Sequence, residues 1–296
     1  MLPKVTFEVN RALNHFCHVS VLYSDSLPAE LADGMLGNKA YRDKNGGLRQ
    51  ERILRALRET EPVRANAWYS LARQLMRTTS LEEAERGNGV AGGLQVMFGR
   101  LKQEDRDFDE IWSKTEARLE EYKARFQAIW SPMSDRVLAR LSTLAKEDWD
   151  TEEIRVHFVD CLWGGFAWVD CIAFTPFPDM EVQKKFLTHE LSELITPSQL
   201  VAKKLRETGL NPGITHTVVD LMAYFSVRDF IEKSVSPHPE RKGIRPNPNY
   251  YPAVDELYPL FERYAVDPAA YADFDTFVDE IVSVLKQAQP TPQVTT

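Results

Sequence analysis

One helix of the chain carries a histidine and two carboxylates at spacings that suit a metal ion. The segment 179–195 reads DMEVQKKFLTHELSELI, and its apolar residues recur with the period of a helix. At about 100° per residue, His189, Glu190 and Glu193 share one arc of the helix surface, opposite the leucines. His189 and Glu193 are one turn apart, so their side chains are near enough to bind one ion together.

A second predicted helix, 214–233, has a polar stripe on an otherwise apolar surface. The stripe consists of His216, Asp220, Tyr224 and Arg228, each four residues after the last. Burying such groups without partners costs several kcal/mol for a charge, so we expect the stripe to face the arc of the earlier helix. His216 lies in the first turn, where the helix dipole disfavours imidazolium and leaves the neutral form that binds metal.

Together the two helices resemble the gluzincin metallopeptidases, the thermolysin-type zinc proteases. That family has H-E-x-x-H on one helix and a Glu and an Asp at i and i+4 on a later one. This chain has H-E-x-x-E at 189–193, then 22 residues, then His216 and Asp220. The second ligand position has become Glu and the third has become His, so two His and one Glu are still offered. The paired exchange indicates a permuted site.

The resemblance implies a role for each of these residues. His189, Glu193 and His216 would bind one zinc ion, and Glu190 would activate its water. Outside the ligands, Asp220 would orient His189. Further along the stripe, Arg228 is a supporting group and Tyr224 is a candidate hydrogen-bond donor to the transition state. The implied reaction is hydrolysis of a peptide or protein substrate.

Two other interpretations of the same residues stay open. The chain could be an inactive zincin-like protein with a binding or regulatory role, with or without its metal. It could also be a helical protein that binds no metal, in which histidine, aspartate and glutamate form a structural hydrogen-bond network. A His–Asp pair one turn apart is common inside helical bundles, and glutamates on a helix surface are ordinary.

The elements around these helices predict an α+β fold that is mostly helical. Residues 4–10 alternate as a half-buried strand, and the segment 18–24 is either a second strand or the end of a helix that starts near Asn10. Two β-rich runs within 152–175 flank Gly164-Gly165 and predict a hairpin that turns there. We expect a zincin-like core with a small mixed or antiparallel sheet, a helical insertion and a helical C-terminal region.

This organisation predicts three consecutive regions. Residues 1–150 contain the N-terminal strand and a helical region, and residues 151–235 contain the hairpin and the two motif helices. Residues 236–296 begin with five prolines in 17 residues, which predicts a loop or linker, and continue into C-terminal helices.

Composition narrows the class of protein. The chain has 296 residues, a net charge of −8 and no basic stripe, which argues against nucleic-acid binding. No run approaches the roughly 18 apolar residues of a membrane span, and the N-terminus has no secretory signal. Three cysteines are too few for a disulfide framework and fit a reducing compartment. These observations predict a cytoplasmic protein and leave its oligomeric state open.

Overall fold

The structure is a computed structural model of the whole chain. It describes residues 1–22, 65–86, 92–162, 165–231 and 252–288. The proline-rich segment predicted at 236–252 lies outside the described residues except for Pro252, and so does Gly164 of the predicted turn.

The predicted α+β, mostly helical fold is confirmed, and its small sheet is mixed. The chain divides into two compact units. The sheet unit comprises Lys4–Ala128 and Glu153–Pro176, and the helical unit comprises Met1–Pro3, Ile129–Glu152 and Phe177–Thr296. The β-rich segment after residue 152 is therefore grouped with the N-terminal part of the chain.

The sheet unit contains four strands and four helices in its described residues. The strands are β1 (Lys4–Glu8), β2 (Glu153–Phe158), β3 (Gly165–Trp168) and β4 (Cys171–Phe174). The helices are α1 (Arg11–Leu22), α2 (Ala65–Arg77), α3 (Leu81–Arg86) and α4 (Gly92–Trp130), whose last two residues are counted with the helical unit. Segment 18–22 thus ends a helix. The side-chain oxygen of Asn10 accepts from the backbone N–H of Leu13 and caps α1.

The strand order is β1-β2-β4-β3. Strand β2 pairs in parallel with β1, Val5 beside Ile154, and in parallel with β4, Val156 beside Ile172. Strands β3 and β4 are antiparallel, with Trp168 opposite Cys171. Two of the three pairings in the described sheet are therefore parallel.

The prediction of a hairpin that turns at Gly164-Gly165 is wrong, both in the position of the turn and in which strands pair. Gly165 already belongs to β3, and the chain reverses at Val169 and Asp170, where Val169 has a φ of 53°. The physical reason lies in β4, which is apolar and buried at every position. A strand buried on both faces is typical of the interior of a sheet with parallel pairing, and β4 accordingly lies between β2 and β3.

An aromatic cluster packs α4 against the sheet within this unit. The ring of Phe126 lies 5.5 Å from Phe7 on β1 and 6.0 Å from Phe158 on β2, both edge to face. Phe126 and Phe158 are fully buried. The aromatic residues of α4 in this cluster are therefore part of the core.

The helical unit contains six helices in its described residues, and α6 and α8 among them carry the motif. The six are α5 (Ser134–Ala145), α6 (Met180–Ile195), α7 (Ser198–Glu207), α8 (Ile214–Val227), α9 (Val254–Val266) and α10 (Phe274–Ala288). Helix α6 begins after Asp179, whose carboxylate accepts from the N–H of Glu181 at 2.8 Å. Helix α8 is apolar over most of its circumference and is buried along most of its length. None of the described helices is both long enough and apolar enough to cross a membrane.

Candidate metal centre

The side chains of α6 and α8 bring the three predicted ligands together. One ligand atom from each of His189, Glu193 and His216 lies within 4.8 Å of the others. The rings of the two histidines are 4.9 Å apart and edge to face. Within the described residues, this group combines two imidazoles and a carboxylate, which is the donor set that zinc takes in hydrolytic sites.

The distances between the ligand atoms suit a four-coordinate ion. Oε1 of Glu193 lies 3.5 Å from Nε2 of His189 and 3.8 Å from Nδ1 of His216. Ligands about 2.1 Å from a tetrahedral zinc are about 3.4 Å from one another. Small side-chain rotations would therefore bring the three atoms to coordination distance.

The packing of α6 on α8 is fixed beside the ligands. Oγ of Ser192 lies 3.0 Å from the carbonyl oxygen of Val219 and 2.7 Å from that of His189. Ser192 is fully buried. This contact sets the position of one helix along the other, and with it the distance between His189 and His216.

The buried carboxylate of Asp220 holds the ring of His189. Oδ1 of Asp220 lies 2.9 Å from Nδ1 of His189, and the side chain of Asp220 is 2% exposed. This contact leaves Nε2 of His189 directed toward Glu193, as in metal sites where a carboxylate orients a histidine ligand.

Charges around His189 explain its protonation. Burial lowers the pKa of His189, but the hydrogen bonds to Asp220 and Glu193 outweigh burial and raise that pKa to about 10. Burial raises the pKa of Asp220, but Lys185 and His189 outweigh it and hold the pKa well below its usual value. Without a metal, His189 is thus an imidazolium between two carboxylates, and a bound cation would replace its proton on Nε2.

The two remaining ligands are more accessible than His189. The side chain of His216 is 55% exposed and that of Glu193 is 34% exposed. Burial and the charge of His189 lower the pKa of His216, so its imidazole is neutral near pH 7. Solvent therefore reaches the cluster from the side of His216.

Glu190 is buried beside the cluster with no visible partner for one oxygen. The residue is 3% exposed, and its Oε2 accepts no hydrogen bond from the described residues. Burial, and then the charge of Glu193, raise the pKa of Glu190 to about 8. A buried carboxyl group of this kind is expensive to keep, and such groups occur most often at functional sites.

Tyr224 lies further along α8 and Arg228 directly follows the end of that helix, and their contacts are with other groups. The hydroxyl of Tyr224 is 3.1 Å from that of Tyr258 on α9. The guanidinium of Arg228 lies over the ring of Phe225 and 3.7 Å from Asp229. The structure brings together four of the predicted side chains, those of His189, Glu193, His216 and Asp220. Tyr224 and Arg228 have other partners.

Lys185 was not singled out from the sequence. Its Nζ donates to Oδ2 of Asp220 at 3.3 Å. The signal was present, because Lys185, His189 and Glu193 are spaced by four and lie on one side of α6. A lysine on a helix surface is usually solvated, so the spacing alone did not distinguish it.

Comparison of the chain with protein-family models, curated proteins and solved structures finds no match. The likeness to gluzincins therefore rests on the motif residues alone.

Proposed function

We propose that this protein binds one divalent cation, zinc first among the candidates, and uses it in hydrolysis. His189, Glu193 and His216 would be the ligands. The observation that carries the proposal is the convergence of their ligand atoms within 4.8 Å, on two helices, with 22 residues between Glu193 and His216.

The donor set favours zinc over other common ions. Two imidazoles with one carboxylate suit zinc, whereas magnesium and calcium prefer oxygen ligands throughout. Three protein ligands leave a fourth position for water, as catalytic zinc sites do. Zinc in such a site lowers the pKa of water toward ~7, which supplies a nucleophile at neutral pH.

Glu190 is the candidate general base in this proposal. It directly follows the first ligand on α6, is buried, and keeps one oxygen without a hydrogen bond from the described residues. Burial keeps this carboxyl group protonated at neutral pH without an ion, and a divalent cation beside it would ionise it. The oxygen could then accept a proton from water held near the three ligands. Asp220 would keep Nε2 of His189 aimed at the ion throughout.

The substrate class follows from the gluzincin resemblance, which implies a peptide bond in a peptide or protein. The proposal uses the ligand chemistry of that family and does not require a zincin-like core. The exposed side of His216 is where a substrate would approach.

A structural network without metal is the second candidate, and one observation favours it. His189 has a carboxylate near each ring nitrogen, at 2.9 Å from Asp220 and at 3.5 Å from Glu193. An imidazolium in that position satisfies both carboxylates with no ion present. A third possibility is an inactive protein that binds the metal for a binding or regulatory role. It differs from the first candidate only in that it does not hydrolyse a substrate.

Metal content decides between the two candidates. The whole chain, purified without added zinc and freed of loose ions by gel filtration, is analysed for metals, alone and after titration with zinc. We expect one ion per chain. We expect His216→Gln to lower zinc affinity by about 100-fold or more, because loss of a direct ligand should cost more than the roughly 10- to 100-fold lost with a residue that only orients a ligand. The control is Glu207→Gln, an exposed glutamate on α7. Equal zinc uptake by the wild type and His216→Gln would contradict the proposal, as would no uptake at all.

A further inference from the structure

The two oxygens of Asp220 are held by two different groups. Oδ1 lies 2.9 Å from Nδ1 of His189, and Oδ2 accepts from Nζ of Lys185 at 3.3 Å. His189 and Lys185 are both on α6, one turn apart, and Asp220 reaches them from α8. Lys185 is partly buried, with its side chain 23% exposed, so this contact fixes both charges in a poorly solvated place.

The position of Oδ2 would affect a bound ion, because Asp220 lies next to the proposed ligand His189. Three carboxyl groups lie in or beside the cluster: Glu193 belongs to it, Asp220 contacts His189, and Glu190 is buried next to His189. If Oδ2 of Asp220 turned to the ion, a second carboxylate would coordinate it and His189 would lose its orienting partner. A second anionic ligand would make the centre a weaker Lewis acid.

We infer that Lys185 is a positioning residue of the proposed metal centre, which holds Asp220 out of the ion's coordination shell and on Nδ1 of His189. This inference rests on the proposed function. Lys185 acts through Asp220 and touches neither the ion nor its water. Its positive charge also offsets that of Asp220, so that the carboxylate of Asp220 stays paired within the protein.

The neighbouring lysine provides a matched control. Lys184 precedes Lys185 on the same turn of α6 and is more buried. Its Nζ donates to Glu181 at 2.8 Å and to the carbonyl oxygen of Phe230 at 3.2 Å. Removing it takes away a partly buried ammonium and its ion pair without touching Asp220.

The experiment compares Lys185→Met, Lys185→Arg and Lys184→Met in the whole chain. Zinc affinity is measured by competition with a chelator, and the visible spectrum of the Co²⁺-loaded protein reports the coordination number, because four-coordinate Co²⁺ absorbs more strongly than five- or six-coordinate Co²⁺. We expect Lys185→Met to lower zinc affinity by about 10-fold or more and to weaken the Co²⁺ bands. Lys185→Arg keeps a cation beside Oδ2 and restores both, and Lys184→Met behaves as the wild type.

The outcomes separate this inference from the proposed function. If the wild type binds zinc and Lys185→Met matches it in affinity and spectrum, the role of Lys185 is wrong while the metal site stands. If Lys184→Met changes the spectrum as much as Lys185→Met, the effect is structural and the inference is again overturned. A wild type that binds no metal overturns both. Should Lys185→Met not fold, Lys185→Ala, which also removes both the donor and the charge, replaces it with the same expectations.

Discussion

Nδ1 of His189 and Oδ1 of Asp220 lie 2.9 Å apart, in a contact that joins α6 to α8 in the interior of the helical unit. The contact fixes which ring nitrogen of His189 is committed to the protein. It leaves Nε2 on the side of Glu193 and His216. The geometry of the whole candidate site depends on this pair, because the other two ligands are more exposed.

Asp220→Asn tests this pair directly. The variant removes the charge that orients His189 and leaves Lys185 without its carboxylate partner. We expect zinc affinity to fall by about 10- to 100-fold, the usual effect of losing such an outer partner. Breaking a buried ion pair should also cost about 3–5 kcal/mol in the free energy of unfolding. Both are measured on the same protein, by chelator competition and by urea unfolding.

Asp229→Asn is the matched control for this experiment. Asp229 lies beyond the end of α8 and is exposed, and its contact is with Arg228. We expect no change in zinc affinity and a change in stability within about 0.5 kcal/mol. If Asp220→Asn binds zinc as tightly as this control, Asp220 does not orient a ligand.

Glu190→Gln separates an enzyme from an inactive metal-binding protein. Amide and carboxylate have nearly the same shape, so the three ligands stay in place and metal content should not change. Because Gln cannot accept a proton, we expect hydrolysis of a casein or mixed-peptide substrate to fall by about 100-fold or more, the typical contribution of a general base. Turnover is followed by release of new amino termini.

The control for Glu190→Gln is Glu207→Gln, the same substitution at an exposed position of α7. It should leave turnover unchanged. Equal turnover in the wild type and Glu190→Gln would exclude Glu190 as the base. Zinc bound with no hydrolysis in either protein would favour the inactive alternative.

The candidate site could be predicted from the sequence because helices have a fixed period. Spacing by four put His189 beside Glu193 and His216 beside Asp220 on their own helices. The burial of α8 followed from its apolar circumference, and the need for its polar groups to face a partner followed from the cost of burying them. Lys185 lay outside this reasoning, since its partner is 35 residues away and is fixed only by how the helices pack.

The sheet could be predicted less well because strand pairing is not local. β-rich segments were visible on both sides of Gly165, but whether β2 pairs with β3 or β4 depends on burial of both faces of the sheet. Two adjacent glycines are a strong local turn signal, and here the turn is made at Val169 and Asp170 instead. Local turn chemistry was outweighed by the burial of β4.

Tyr224→Phe tests whether the tyrosine acts in catalysis or in packing. Its hydroxyl lies 3.1 Å from that of Tyr258, and burial followed by this contact raises the pKa of Tyr224 to about 12. We expect the variant to lose about 1 kcal/mol of unfolding free energy, the usual worth of one hydrogen bond, and to keep its zinc affinity. Tyr258→Phe should cost a similar amount.

The double variant of Tyr224 and Tyr258 completes a thermodynamic cycle. If the two hydroxyls are partners, the two losses overlap and the double variant is little worse than either single variant. Additive losses would contradict the pairing. A drop in turnover for Tyr224→Phe, with Tyr258→Phe unaffected, would instead assign Tyr224 to the reaction.

Buried histidines of the sheet unit predict a loss of stability in mild acid. His157 on β2 is fully buried, and burial, helped by the charge of Arg155, lowers its pKa to about 4. Its folded pKa is thus below the unfolded value of 6.5, and the native state excludes a proton that the unfolded chain binds. The contribution of His157 to the free energy of unfolding is complete above pH 6.5 and is lost as pH falls from 6.5 toward 4, at about 1.4 kcal/mol per pKa unit, or about 3 kcal/mol in all.

Urea unfolding at intervals between pH 7.5 and pH 4.5 measures the slope of unfolding free energy against pH. The variant His157→Leu should flatten this slope, while the exposed control Lys203→Met should keep it. A slope that is the same in the wild type and His157→Leu would mean that His157 is already protonated in the folded protein, which its burial beside Arg155 argues against.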